Sequence, residues 1–330
     1  YKPMKKALVT GGLGFIGSQI AKSLLDQKVV DKVVCFDNFG GYVNFTSKNF
    51  LDYRKERLVG YLDNIIIERG DAKYYGVLQK IIENHKPEYI FHLASLPLAK
   101  LNNLNVEEAF ESSVSATSNI LQICNSIENY DLKRFVYTSS SMVYGNFESE
   151  EVNENSSVNP IEIYGTAKLA GEITTKGLGL FFKIPWTIVR PSAVFGPTDM
   201  NNRISQIIID RAINNEVINV HGKDERLDFT YVKNLADGFI KTAMHEKGEN
   251  EIFNITNGKS HTILEFIHEV KKYIPDIKYE IQERDQFRPK RGTLSNSKVQ
   301  SLIGFEPSYS FEDAIKEYVE FKLNNKNNFS

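Results

Sequence analysis

The sequence predicts an α/β protein, a doubly wound parallel sheet followed by a smaller mixed α/β C-terminal region. Two observations carry this. Short apolar runs recur at 33–37, 64–68, 89–93, 134–138 and 186–190 with helical patterns between most of them, as parallel strands covered on both faces require. After Pro197 the alternation decays into shorter elements: helical at 200–214, extended at 217–220 and 228–232, and helical at 234–245 and 262–273. The 330 residues suffice for one large and one smaller domain. The division is expected near 197, with residues 1–197 forming the sheet domain and 198–330 mainly a substrate region, strand exchange between the two being allowed.

The first element is the most specific. Ala7, Leu8 and Val9 read as a buried strand, and Ile16, Ile20 and Leu24 recur at helical spacing. Thr10-Gly11-Gly12-Leu13-Gly14-Phe15-Ile16-Gly17 joins them. Gly11, Gly14 and Gly17 fall where the chain must turn tightly, approach a pyrophosphate and pack a helix on a sheet. The unpaired N–H groups of that helix start, at Phe15 and Ile16, then face the phosphate with the positive end of the helix dipole. This is the phosphate cradle of a Rossmann-type unit; the alternative is a purely structural glycine turn.

The second strand, Val33-Val34-Cys35-Phe36, ends in Asp37, about 20 residues past Gly17, where an acidic side chain binds the adenosine ribose. A carboxylate there accepts from both ribose hydroxyls and repels a 2′-phosphate, so NAD is favoured over NADP. A solvated strand-end aspartate is the plainer reading. Asp71, after the third strand Ile65-Ile66-Ile67, is a further candidate for the adenine rim. Between them, 40–60 is longer than a tight connection needs, and Phe50-Leu51-Asp52-Tyr53-Arg54-Lys55 is compatible with a short amphipathic helix over the cofactor mouth.

Composition excludes several classes. The net charge is −2, with no basic tract to suggest nucleic acid or an anionic membrane. No run approaches a membrane span, because Lys183, Pro185 and Arg190 break the apolar stretch from Gly177 to Phe195. No signal-peptide pattern is read, and Tyr1-Lys2-Pro3, ahead of Met4, stands outside the predicted fold. Cys35 and Cys124 sit in apolar patterns and read as core residues, and the six histidines show no metal-ligand spacing. A cytoplasmic protein is expected. The tail Asn324-Asn325-Lys326-Asn327-Asn328 reads as frayed.

After the fifth strand-like run at 134–138 comes the serine cluster Thr138-Ser139-Ser140-Ser141, and then Tyr164 and Lys168 in a helix-compatible run. Residues i and i+4 share a helix face, so both side chains reach one site. A tyrosine acts as a base near neutrality only if its pKa falls from about 10 toward 7, about 4 kcal/mol of preferential phenolate stabilisation. A nearby ammonium and an oxidised nicotinamide are sources of it. Spacing alone says little, since Tyr1/Lys5 and Tyr318/Lys322 share it. The serine cluster beside Tyr164 supplies the context, because one hydroxyl can hold the reacting oxygen.

These segments together resemble the extended short-chain dehydrogenase/reductase superfamily, and within it the NAD-dependent nucleotide-sugar epimerases and dehydratases. The resemblance covers nearly the whole chain. It runs through the glycine loop, Asp37-Asn38, Gly70-Asp71, Phe91-His92-Leu93-Ala94-Ser95 and Ser139-Ser140-Ser141-Met142-Val143-Tyr144-Gly145. It continues through Tyr164/Lys168, Arg190-Pro191-Ser192-Ala193-Val194-Phe195-Gly196-Pro197, Asp228-Phe229-Thr230-Tyr231-Val232 and Arg288-Pro289. The resemblance implies that Ser140, Tyr164 and Lys168 form the catalytic triad. Asp71 and Ala72 would line the adenine, Leu93, Ala94 and Ser95 would pass along the cofactor, and Arg288 would bind the nucleotide diphosphate. Substrate contacts would come from Ser141, Met142, Arg203, Arg226 and Arg288, with a UDP-sugar favoured. A homodimer through 105–127 and 162–180 is implied as well.

One position narrows the reaction. Family members that eliminate water carry an Asp-Glu pair just before the Val-Tyr-Gly, and decarboxylating members similarly place a Glu there; this chain has Ser141-Met142. A thioether is neither acid nor base, which points to an epimerase, at C4 through a transient 4-keto sugar. A 4-dehydrogenase or 4-ketosugar reductase uses the same triad and stays open, as does a non-catalytic NAD-binding sensor. There are departures from the family pattern. Ala193 stands where relatives often have Asn, Leu227 where an Arg precedes Asp-Phe (Arg226 is one residue earlier), and Ser113 where Asn is common. Arg203 could compensate electrostatically.

Overall fold

The apolar runs become the strands of one parallel sheet. The computed structural model describes residues 3–41, 52–95 and 105–326. Its strands are β1 (Lys6–Thr10), β2 (Lys32–Asp37), β3 (Ile65–Arg69), β4 (Tyr89–His92), β5 (Arg134–Thr138), β6 (Trp186–Arg190) and β7 (Glu251–Asn254), in spatial order β7-β6-β5-β4-β1-β2-β3. Every pairing is parallel. The order reverses between β1 and β4, and the crevice outside their carboxyl ends is where such sheets bind ligands.

Alternation along each strand builds two apolar layers. Ala7, Val9, Val33, Cys35, Phe91, Val136 and Val189 enter one core, and Leu8, Val34, Phe36, Ile90, Phe135 and Ile188 enter the other. The first layer is covered by α1 (Phe15–Asp26), whose Ile20 and Leu24 are wholly buried, and by α7 (Val232–Met244). The second is covered by α2 (Tyr75–His85) and α4 (Ala116–Ser126), α4 packing on α5 (Ile163–Phe182). A short α3 (Val106–Phe110) runs into α4 through a π-helical turn at Glu111–Ser115. Cys35 and Cys124 are buried on opposite faces, as free thiols.

The later elements are α6 (Ile204–Ile213), α8 (Ile263–Lys271), α9 (Ser297–Ile303) and α10 (Phe311–Asn324), with short strand pairs. Val217–His221 pairs with Lys278–Gln282, and Thr293–Leu294 reaches back to Glu151–Val152. Strand β7 was not among the expected strands. Its Glu-Ile-Phe-Asn is too short for a clear period, and it joins the sheet only by pairing with β6. The sheet therefore takes a strand from beyond residue 197, and α7 packs on α1. The extended run expected at 228–232 is shorter than read: Thr230–Tyr231 pairs with Val194–Phe195, and Val232 already opens α7. Of the amphipathic helix expected near 50–55, Phe50 and Leu51 lie outside the described residues, and a 3-10 turn covers Arg54–Glu56. Helix α10 carries the tail to Asn324, and residues 327–330 lie outside the description. Among the described residues no helix is long and apolar enough to cross a membrane, and no group of acidic, histidine or cysteine side chains could hold a metal ion.

Candidate active site

A cleft of ≈ 1710 Å³ opens over the carboxyl ends of the strands, beyond the few hundred to 1,000 Å³ of an ordinary small-molecule site. Its floor is the glycine loop. Gly11 turns at φ 68°, a conformation that side chains rarely adopt, and its N–H donates to the Phe36 carbonyl at 2.8 Å. A Cβ on Gly17 would stand 2.1 Å from the Gly11 carbonyl oxygen, so only glycine lets α1 start this close to the loop. No side chain caps α1 at Gly14, which leaves its first N–H groups facing the cleft.

Asp37, at the end of β2, accepts from the Leu13 N–H at 3.1 Å and the Phe39 N–H at 2.9 Å. It thus ties the glycine loop to the strand tip while its side chain lines the cleft. Gly11, Gly14, Phe15, Ile16, Gly17, Asn38, Asp71, Ala72, Leu93, Ala94 and Ser95 line the same cleft. The arrangement fits a dinucleotide: a glycine turn too tight for a Cβ at Gly17, a bare helix N-terminus and a carboxylate at the second strand.

Across the switch point, Thr10 and His92 join β1 to β4. The Thr10 hydroxyl lies 2.7 Å from His92 Nδ1 and accepts from the Leu93 and Ala94 N–H groups at 3.0 and 3.1 Å. His92 Nε2 lies 3.0 Å from the Ser112 carbonyl oxygen. Burial holds this imidazole down to about 4, so it is neutral, donating to Ser112 and accepting from Thr10. Three β4-side groups along the expected cofactor path are thereby fixed by one threonine.

Helix α5 carries the expected Tyr164 and Lys168. The Glu162 carboxylate caps it, accepting from the Tyr164 N–H at 2.7 Å and the Gly165 N–H at 2.6 Å. Tyr164 and Lys168 then sit on one helix face, with Lys168 Nζ 5.6 Å from the Tyr164 ring centre. Lys168 Nζ donates to the Thr138 carbonyl at 2.9 Å, and Ser140 is hydrogen-bonded to Tyr164. Burial pushes the Tyr164 phenol up to about 12, opposed by Arg203, the Ser140 hydrogen bond and Arg291, while Glu162 adds to the rise. Burial also pulls Lys168 down to about 7.

Behind this face lies a buried polar network. Arg190 on β6 grips Glu172 of α5 through two 2.8 Å hydrogen bonds, and the Ser139 hydroxyl donates to Glu172 at 2.5 Å. Arg190 also donates to Tyr144 Oη at 3.1 Å, and Tyr144 donates to Asn254 of β7 at 2.7 Å. The network locks the strand carrying the serine cluster against the helix carrying Tyr164.

The expected substrate residues divide. Ser141, Met142 and Arg203 line the cleft, Arg203 paired with Asp199 at 3.0 Å. Arg288 stands exposed at the rim, 3.5 Å from Asp285. Arg226, expected to touch substrate, is not among the residues that line the cleft. Its guanidinium donates to the Ser260 hydroxyl and carbonyl at 3.1 and 2.8 Å, and Leu227 faces the cleft instead. Two adjacent residues of a short strand point to opposite sides, so shifting the basic residue by one turns it outward. Sequence reasoning missed Arg291, which lines the cleft three residues past Arg288. It also missed Arg57, which donates to the Leu13 and Thr198 carbonyls at 2.9 and 2.8 Å. Arg57 lay in the long 40–60 interval as one charge among several, and no local signal singled it out.

A glycine cradle at the switch point, faced by a Ser-Tyr-Lys set on the fifth strand and following helix, defines an NAD-dependent enzyme of the extended short-chain dehydrogenase/reductase type. The sequence profile of the NAD dependent epimerase/dehydratase family matches residues 7–256, and the chain belongs to that family. It is 30% identical over 336 residues to a putative UDP-glucose 4-epimerase of Methanocaldococcus jannaschii, covering 96% of this chain and 98% of that one. A dTDP-D-glucose 4,6-dehydratase of Mus musculus is 25% identical over 98% of this chain and 90% of its own length. The fold superposes with TM-score 0.85 on a UDP-glucuronic acid 4-epimerase from Bacillus cereus, solved with UDP-glucuronic acid and NAD, at 24% identity over 97% and 99% of the two chains.

Proposed function

We propose that the protein is an NAD-retaining 4-epimerase of a nucleoside-diphosphate sugar, a UDP-sugar being favoured, working through a transient 4-keto sugar. The observation that carries the choice over dehydration is Met142, which is buried to 2% exposure beside the serine cluster and lines the cleft. With Ser141 before it, no proton-transferring group occupies the place where dehydrating relatives carry an acidic pair. NAD would be held by the glycine loop and Asp37, and would supply reversible hydride acceptance and, when oxidised, a positive charge that favours the phenolate.

The remaining work belongs to the chain's own residues. Tyr164 takes the proton of the sugar hydroxyl at the reacting carbon and returns it when the opposite configuration forms. Ser140 holds the same oxygen and polarises it. Lys168 lies one helical turn below Tyr164 and, when protonated, favours the phenolate by its charge. Arg203 and Arg288 supply positive charge for the nucleotide diphosphate. The outer face of α5 leaves Ile173, Leu180 and Phe181 exposed, in keeping with a homodimer through that helix.

Proton NMR of the purified protein with UDP-glucose, UDP-N-acetylglucosamine and UDP-glucuronate in turn, with no NAD added, tests the reading. A new anomeric signal from the C4 epimer is expected with one of them. Conversion only when NAD or NADH is supplied, with stoichiometric change in the cofactor, would replace it by a net oxidoreductase.

A further inference from the structure

Arg291 differs from three other cleft arginines in what holds it, and from Arg57, which is fixed by the Leu13 and Thr198 carbonyls. Arg203 is paired with Asp199, Arg284 with Glu225 and Arg288 with Asp285. Among the described residues, no carboxylate lies within ion-pair distance of Arg291. Its Nη2 donates to two neutral hydroxyls, Ser141 Oγ at 2.7 Å and Ser192 Oγ at 3.0 Å, and its Nε is buried with no partner. The charges acting on it are Asp228, Glu162 and Tyr164, opposed by Arg288, and burial holds the group down to about 10. A half-buried guanidinium that faces the cleft without an anion is a poor arrangement, and a planar anion is the partner its forked N–H groups fit.

Its position selects which anion. Ser141 adjoins Ser140, the hydrogen-bond partner of Tyr164, and Arg291 itself acts electrostatically on Tyr164. In a nucleotide sugar the diphosphate hangs from C1, across the ring from C4. C4 is flanked by C3, which carries a neutral hydroxyl, and by C5, whose substituent in a hexuronate is a carboxylate. We propose that Arg291, Ser141 and Ser192 form a subsite for the C5 carboxylate of a nucleoside-diphosphate hexuronate. The protein thereby selects a uronate over the neutral hexose. This rests on the nucleotide-sugar C4 reading above. The two serines, whose hydroxyls now accept from Arg291, rotate to donate to the second carboxylate oxygen.

Isothermal titration of the NAD-loaded protein with UDP, UDP-glucose and UDP-glucuronate tests it without relying on turnover. The wild type is expected to bind UDP-glucuronate about tenfold or more tightly than UDP-glucose, as a charge-assisted pair gives. Arg291→Gln should erase that preference while changing UDP affinity by less than about threefold, and Arg291→Lys should keep part of it. Equal weakening of all three ligands would make Arg291 a diphosphate contact and overturn the proposal. Lack of a uronate preference in the wild type overturns it without any variant, so a misfolded Arg291→Gln does not shield it. Uronate preference without epimerisation would leave this subsite standing and remove the epimerase reading. Epimerisation of UDP-glucose without that preference would do the reverse, and failure of all three ligands to bind would remove both.

Discussion

Lys168 Nζ donates to the Thr138 carbonyl at 2.9 Å, which ties α5 to the tip of β5 one turn below Tyr164. The bond also explains how a lysine with only 3% exposure is tolerated: a fixed backbone dipole replaces part of its lost water. Strand β5 leads into Ser139, Ser140 and Ser141, so the same contact sets the distance between the serine cluster and the phenol.

In the proposed mechanism Tyr164→Phe removes the group that takes and returns the proton and leaves the ring packing. Turnover of the substrate found by NMR should fall by about 10²- to 10⁴-fold. The urea midpoint should be nearly unchanged. A variant turning over at the wild-type rate would dismiss Tyr164 as the acid–base group.

Burial lowers Lys168 to about 7 from its ordinary 10.5. Between those values the unfolded chain holds the proton and the folded protein does not, so unfolding takes up a proton there. Stability of the cofactor-free protein then rises with pH across that interval, by about 1.4 kcal/mol per unit from this group, and the contribution is flat below it. Lys168→Met should therefore be more stable than wild type near neutrality, with the advantage shrinking toward about pH 10. Urea melts of both proteins across that range check the slope.

Gly17→Ala forces a Cβ to within 2.1 Å of the Gly11 carbonyl oxygen, so either the loop or the start of α1 must move. Overpacking of this kind costs about 1–3 kcal/mol. The larger expected effect is on the cradle itself. The variant should purify with much less NAD than wild type, as measured by chromatography of the nucleotide released on denaturation. Equal NAD content would show that the loop tolerates the shift.

Glu172 and Arg190 are each about as buried as Lys168, and each is the other's counter-charge. Glu172→Ala leaves the guanidinium unpaired and should cost about 3–5 kcal/mol in chemical denaturation. Glu172→Gln keeps most of the shape and should cost less. If Glu172→Ala unfolds at the wild-type midpoint, the network adds nothing to stability.

Much of the fold was legible because its signals are local. Ala7-Leu8-Val9, the glycine spacing and Ile16/Ile20/Leu24 each report a backbone state within a few residues, and the structure has β1, the loop and α1 there. Tyr164 and Lys168 were legible because a helix period puts them on one face and the serine cluster before them singles them out from Tyr1/Lys5 and Tyr318/Lys322. Strand β7 was not, because its four residues form a strand only against β6. His92 stood inside a recognisable segment, yet nothing near it in sequence shows that its ring meets Thr10, a residue in another strand.

The sequence by itself determined the strand–helix alternation, the dinucleotide cradle, the acidic end of β2 and the Tyr-Lys pair. Those depend on hydrophobic period, on glycine where a Cβ would clash, and on i,i+4 geometry. Tertiary structure decided which distant groups face the cleft. It turned Arg226 away onto Ser260 and brought Arg291 against Ser141 and Ser192. Guanidinium groups end long flexible stems, and where each one comes to rest depends on the loops and hydroxyls that packing places within its reach.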